Sequence, residues 1–138
     1  MAMHSMCSGL CRVRHLVVFL FIAFGVAAAE DSPKSYKDAE AIWQKTRDML
    51  EYQAYAAEFA ELNNAFHIDE RDGCYFLASG PVNLMLLVSP ADAKGVATIE
   101  RVFYDPNNAK ARCFERSYSG LPIKAPPFLP FVLQLRME

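Results

Sequence analysis

The stretch from Val82 to Met137 constrains this chain most. Two extended runs come first, Asn83–Ser89 (NLMLLVS) and Val96–Tyr104 (VATIERVFY), joined by a loop of ordinary hairpin length, Pro90–Gly95. A short helical run follows, Ala109–Tyr118 (AKARCFERSY), then a proline-rich connector, then a third extended run, Phe131–Met137 (FVLQLRM). The order strand, strand, helix, strand predicts an α+β domain with a small antiparallel or mixed sheet. Alternation puts Leu84, Leu86 and Val88 on one face of the first run, and Asn83, Met85, Leu87 and Ser89 on the other. Apolar groups on both faces predict a central strand with cover on both sides. In the second run Val96, Thr98, Glu100, Val102 and Tyr104 share one face, and Ala97, Ile99, Arg101 and Phe103 the other. A right-handed crossover predicts that Phe131–Met137 returns parallel to the second run and lies beside the first, at a sheet edge.

Local signals delimit the crossover. Asp105-Pro-Asn-Asn108 stops the second run, and Asn108 or Asn107 caps the helix. Helical spacing turns Ala109, Cys113 and Phe114 inward and Lys110, Arg112, Glu115 and Arg116 toward water. Gly120 suits a helix C-terminus, with Pro122 just beyond. Gly120, Pro126, Pro127, Phe128 and Pro130 form a structural connector, and each proline pushes the residue before it toward extended backbone.

Upstream, Ser35 caps a helical segment and Asp38 completes a weak capping box. No proline or glycine interrupts residues 36–63. Ala39, Ile42, Trp43, Met49, Leu50, Ala56, Ala57, Phe59 and Ala60 give it a broad apolar face, with Trp43 as a packing anchor. The pattern fits one long helix or two shorter ones. His67–Gly73 (HIDERDG) is a charged connector whose spacing does not match a calcium loop. Cys74–Ala78 reads as an extended segment, ended by Ser79-Gly80-Pro81.

The N-terminus has the layout of an export signal. Arg12, Arg14 and His15 are basic, Leu16–Val26 is apolar, and Ala27–Ala29 offers a small-residue cleavage site. Residues 1–29 are therefore expected to be a cleavable signal peptide, and residues 30–138 a single exported domain. The apolar stretch is shorter than the roughly 20 residues that span a bilayer. The alternative is an uncleaved leader anchoring the domain to the inner membrane. Cys7 and Cys11 leave with a cleaved leader. That leaves Cys74 and Cys113, which an oxidising compartment is expected to pair. Closing a loop of about 40 residues stabilises by about 4 kcal/mol in the chain-entropy view.

The leader carries Arg12 and Arg14 and no acid, so the remainder is more acidic than the whole chain's net charge of −2. With no basic stripe, nucleic acid is not an expected partner. His67 is the one histidine beyond the leader, and no nucleophile is partnered with it in sequence, so no catalytic residue, metal or cofactor is expected.

From Val82 to Met137 the chain resembles the periplasmic C-terminal domain of TonB-type energy transducers. The similar features are the apolar strand leading to VSPADAKG, the strand VATIERVF, the helix AKARCFERSY, the approach PIKAPPFLPF and the terminal strand VLQLRM. The resemblance implies a periplasmic domain whose last strand, here Phe131, Val132, Leu133, Gln134, Leu135, Arg136 and Met137, receives an extended protein or peptide partner by strand addition. It departs from the family in its cleavable leader, in a helical segment where a long proline-rich linker would stand, and in its cysteine pair. Fold and binding mode are therefore the expectation, and energy transduction is not. A membrane-anchored transducer subunit and a periplasmic inhibitor or immunity protein are the competing expectations.

Overall fold

The structure, a computed structural model, describes residues 31–65 and 73–138. The leader with Cys7 and Cys11, and the connector with His67, Asp69, Glu70 and Asp72, lie outside the described residues. The architecture is α+β. Helices α1 (Tyr36–Thr46) and α2 (Leu50–Ala65) precede strands β1 (Val82–Val88) and β2 (Val96–Asp105). Helix α3 (Ala109–Tyr118), a three-residue strand β3 (Pro122–Lys124) and strand β4 (Phe131–Met137) follow. The sheet order is β3-β2-β1-β4, and every neighbouring pair is antiparallel. β4 and β2 thus run in the same direction, with β1 between them.

The sequence signals at the helix starts correspond to real contacts. The Ser35 hydroxyl accepts from the Asp38 amide at 3.2 Å, and the Asp38 carboxylate accepts from the Lys34 amide at 3.1 Å. Asn108, rather than Asn107, caps α3 by accepting from Ala111 at 2.8 Å. The segment 36–63 is two helices. They part at Arg47–Met49, where the Thr46 hydroxyl bonds back to the Ile42 carbonyl at 3.0 Å. The break changes the phase of the apolar face. Leu50 is 79% exposed and Met49 is exposed, while Tyr52, Tyr55 and Phe59 become the buried face of α2.

Both faces of β1 are covered. On one, Leu84, Leu86 and Val88 pack with Tyr52, Tyr55 and Phe59 of α2 and with Ala111, Phe114 and Tyr118 of α3. On the other, Met85 and Leu87 pack with Val132 and with Ala39, Ile42 and Trp43 of α1. Strict alternation along β2 does not hold. Leu87 pairs with Arg101 but Val88 pairs with Ile99, so Glu100 is the extra residue of a β-bulge. Ala97 and Ile99 before it and Val102 and Tyr104 after it therefore pack into the same core cluster.

The remaining departures are local. Cys74–Ala78 is not extended: Gly73 and Cys74 are helical, and Phe76 and Leu77 donate back to their carbonyls in tight turns. The connector is extended only at β3, which pairs with Val96–Thr98, and it bends through residues 127–130. Gly120 has φ +77° and donates its amide to the Ile99 carbonyl at 2.8 Å, so the backbone leaves α3 in the left-handed region that glycine tolerates best. On α3, Ala109 is exposed and Lys110 is buried, reversing the sequence expectation.

Candidate interaction edge

β4 is the outermost strand on its side of the sheet. The Ser89 amide, just past β1, donates to the Thr98 carbonyl on β2 at 2.9 Å. Backbone polar groups alternate sides along a strand. Those of Asn83, Met85 and Leu87 therefore also aim at β2, and those of Val82, Leu84, Leu86 and Val88 aim at β4. Their opposite numbers are Met137, Leu135, Leu133 and Phe131. The backbone groups of Val132, Gln134 and Arg136 consequently face away from the sheet.

The side chains of this strand are held firmly. Phe131, Val132, Leu133 and Met137 are buried, Gln134 and Leu135 are half-buried, and Arg136 is exposed and pairs with Glu138 at 2.6 Å. Phe131 is the hub of an aromatic cluster. Its ring stacks on Tyr52 at 5.2 Å, meets Tyr55 edge-on at 4.8 Å and tilts against Phe128 at 5.1 Å. Such pairs contribute about 0.5–1.5 kcal/mol each beyond their burial. Phe128 thereby packs the connector onto the start of β4. Pro126 and Pro130 are half-buried beside it, whereas Pro127 is exposed.

Helices α1 and α2 reach this edge from opposite faces. α1 lies chiefly against β4. Trp43 packs against both core clusters, one on each face of the sheet. Burial raises the Tyr52 hydroxyl above its ordinary pKa, while the neighbouring N–H groups of the Gln134 backbone and the Trp43 side chain pull it down. The Tyr55 hydroxyl donates to the Lys124 carbonyl at 2.5 Å, and burial, with the Glu58 charge nearby, pushes it up to about 12.

Beyond the far end of β4, Cys74 and Cys113 form a disulfide with a Cα–Cα distance of 5.5 Å, fixing the segment before β1 to α3. The bridge presents an apolar turn. Tyr75 packs edge-on against Phe114 at 5.1 Å, and its hydroxyl lies 3.5 Å from the Met137 sulfur. Phe76 is 90% exposed, and Leu77 is half-exposed. Beneath Tyr75, Lys110 is only 2% exposed. Its ammonium donates to the main-chain oxygens of Gly80 at 3.0 Å and Glu138 at 2.9 Å, and lies 5.5 Å from the centre of the Tyr75 ring.

The cysteine pair and the terminal strand are both legible in the sequence. Tyr52 and Tyr55 are not marked there, Lys110 reads as facing water, and Tyr75–Leu77 reads as part of an extended segment. The i, i+3, i+7 spacing of Tyr52, Tyr55 and Phe59 was the available signal for the first two. Nothing in sequence marks the lysine as buried, because its partners are main-chain oxygens from distant segments.

Among the described residues no group of three or more His, Cys, Asp and Glu side chains comes together to hold a metal, and no helix is long and apolar enough to cross a membrane. The disulfide suits an oxidising, exported environment. Comparison of the chain with protein-family models, with curated proteins and with solved structures finds no match.

Proposed function

We propose that this chain is an exported, periplasmic protein-binding module that takes an extended segment of a protein partner along the outer edge of β4. The observation that carries this reading is the outward backbone of Val132, Gln134 and Arg136 on the last strand of the sheet. Backbone N–H and C=O groups on the outer side of an edge strand are a template for another strand. The exposed turn at Phe76 and Leu77, joined to the end of β4 through Tyr75 and Met137, supplies apolar surface beside that template. The resemblance of Val82–Met137 to TonB-type C-terminal domains favours the same binding mode, with the departures named above setting energy transduction aside.

Two variants test it. Leu133 bonds inward to β1, so Leu133→Pro removes a ladder hydrogen bond and unfolds the domain. Arg136→Pro removes an outward amide at an exposed position and leaves the fold intact. The partner captured from a periplasmic extract by the wild-type domain, identified by mass, is lost from Arg136→Pro. A folded Arg136→Pro protein that captures the same partner undiminished refutes strand addition. N-terminal sequencing of the exported form tests the leader, with a start at or near Glu30 expected. Recovery of only full-length, membrane-bound protein favours the anchored transducer subunit.

A further inference from the structure

The β4 edge is not open along its whole length. α1 lies against β4 on one face of the sheet, the chain turns at Arg47–Met49, and α2 returns on the other face. Trp43 belongs to both core clusters, and a side chain at the outermost strand reaches both only by passing around that strand. Tyr52 follows the turn and stacks on Phe131, with its hydroxyl beside the outward Gln134 amide. The hairpin therefore covers β4 from Val132, which is fully buried against α1, to Gln134, and leaves Arg136 exposed beyond it.

We propose that the α1–α2 hairpin is a strap that closes the β4 edge in the free protein, and that a partner strand pairs along the full edge only after Trp43 and Tyr52 swing away about the Arg47–Met49 turn. This rests on strand addition as the binding mode. The strap explains how an exported protein carries an edge strand without self-association, since natural sheets blunt such edges by covering them. It also sets a direction for the coupling: whatever loosens the strap favours the partner, because the closed form excludes it. The polar contact of Tyr52 is the removable part of the strap. The ring's stacking on Phe131 survives its loss.

The test compares the wild type with Tyr52→Phe, which keeps the ring, and with Trp43→Ala, which removes the side chain that passes around the edge. Residue-resolved amide hydrogen exchange reads the closure. Gln134 is expected to exchange about tenfold more slowly than the equally outward but exposed amide of Arg136, and Tyr52→Phe to bring it level with Arg136 while Leu133 stays protected. Binding of an N-acetylated heptapeptide of alternating valine and lysine reads the gate, and is expected to be about tenfold tighter for either variant than for the wild type. Wild-type Gln134 exchanging as fast as Arg136 overturns the strap and leaves strand addition standing. A protected Gln134 with equal peptide affinity in all three proteins overturns the gate. A peptide that pairs with none of them, even when Gln134 is released, sinks strand addition and the gate with it.

Discussion

Lys110 is the sharpest test of the packing described above. Its side chain is buried to 2% exposure, and its charge is met by two main-chain oxygens, at 3.0 and 2.9 Å, and an aromatic ring, with no carboxylate side chain of the described residues against it. Lys110→Met keeps most of the volume of the stem and removes the ammonium, and two effects then oppose each other. Losing the ion relieves a desolvation cost of several kcal/mol. Against this stand two charge-assisted hydrogen bonds at roughly 1.5–3 kcal/mol each and a ring contact of about 1 kcal/mol. The variant also leaves the main-chain oxygens of Gly80 and Glu138 without their donor. Both residues are exposed overall, so water takes over part of that need, and the lower end of the unsatisfied-acceptor cost applies, about 1 kcal/mol each. The expected net loss is about 2 kcal/mol for Lys110→Met. Lys110→Ala, which also empties the space of the stem, is expected to lose about 4 kcal/mol. Urea unfolding of the oxidised domain, followed by fluorescence, gives both values at constant m. Lys110→Met as stable as the wild type, or more so, refutes the reasoning, because desolvation would then outweigh the bonds.

Three further predictions follow from single contacts. The native, unreduced protein is expected to show no reactive thiol at Cys74 or Cys113, and Cys113→Ser to lose about 4 kcal/mol, a fall of roughly 15 °C or more in Tm by calorimetry; two thiols that react without reduction contradict it. Tyr55 has a folded pKa of about 12, above its ordinary value of 10.0, so its contribution is intact below about pH 10 and is lost as pH rises toward 12. Stability measured across that window is expected to fall more steeply in the wild type than in Tyr55→Phe, and equal slopes rule the assignment out. Asn108→Ala, which deletes the cap over buried Ala111, is expected to cost about 1 kcal/mol in a denaturant titration, and Asn107→Ala much less.

The sequence by itself determined the class of fold, the helix starts at Ser35 and Asn108, the central place of β1 and the pairing of Cys74 with Cys113. Each rests on a local signal. Apolar groups on both sides of NLMLLV leave only a strand covered twice, and a cap needs nothing beyond its own turn. Tertiary structure decided the rest. The bulge at Glu100, which puts Ala97, Ile99, Val102 and Tyr104 into one core cluster, depends on the register that β1 imposes on β2. The break at Arg47–Met49 sets the phase of α2, so Tyr52 and Tyr55 rather than Met49 and Leu50 face Phe131. Lys110 reads as a surface residue because its neighbours in sequence are polar, and it is buried because Gly80, Glu138 and Tyr75 converge on it from distant segments. The terminal strand was legible as an edge. That the hairpin straddles it was not, because an edge is covered by whatever packs beside it in space, and alternation along one strand carries no record of its neighbours.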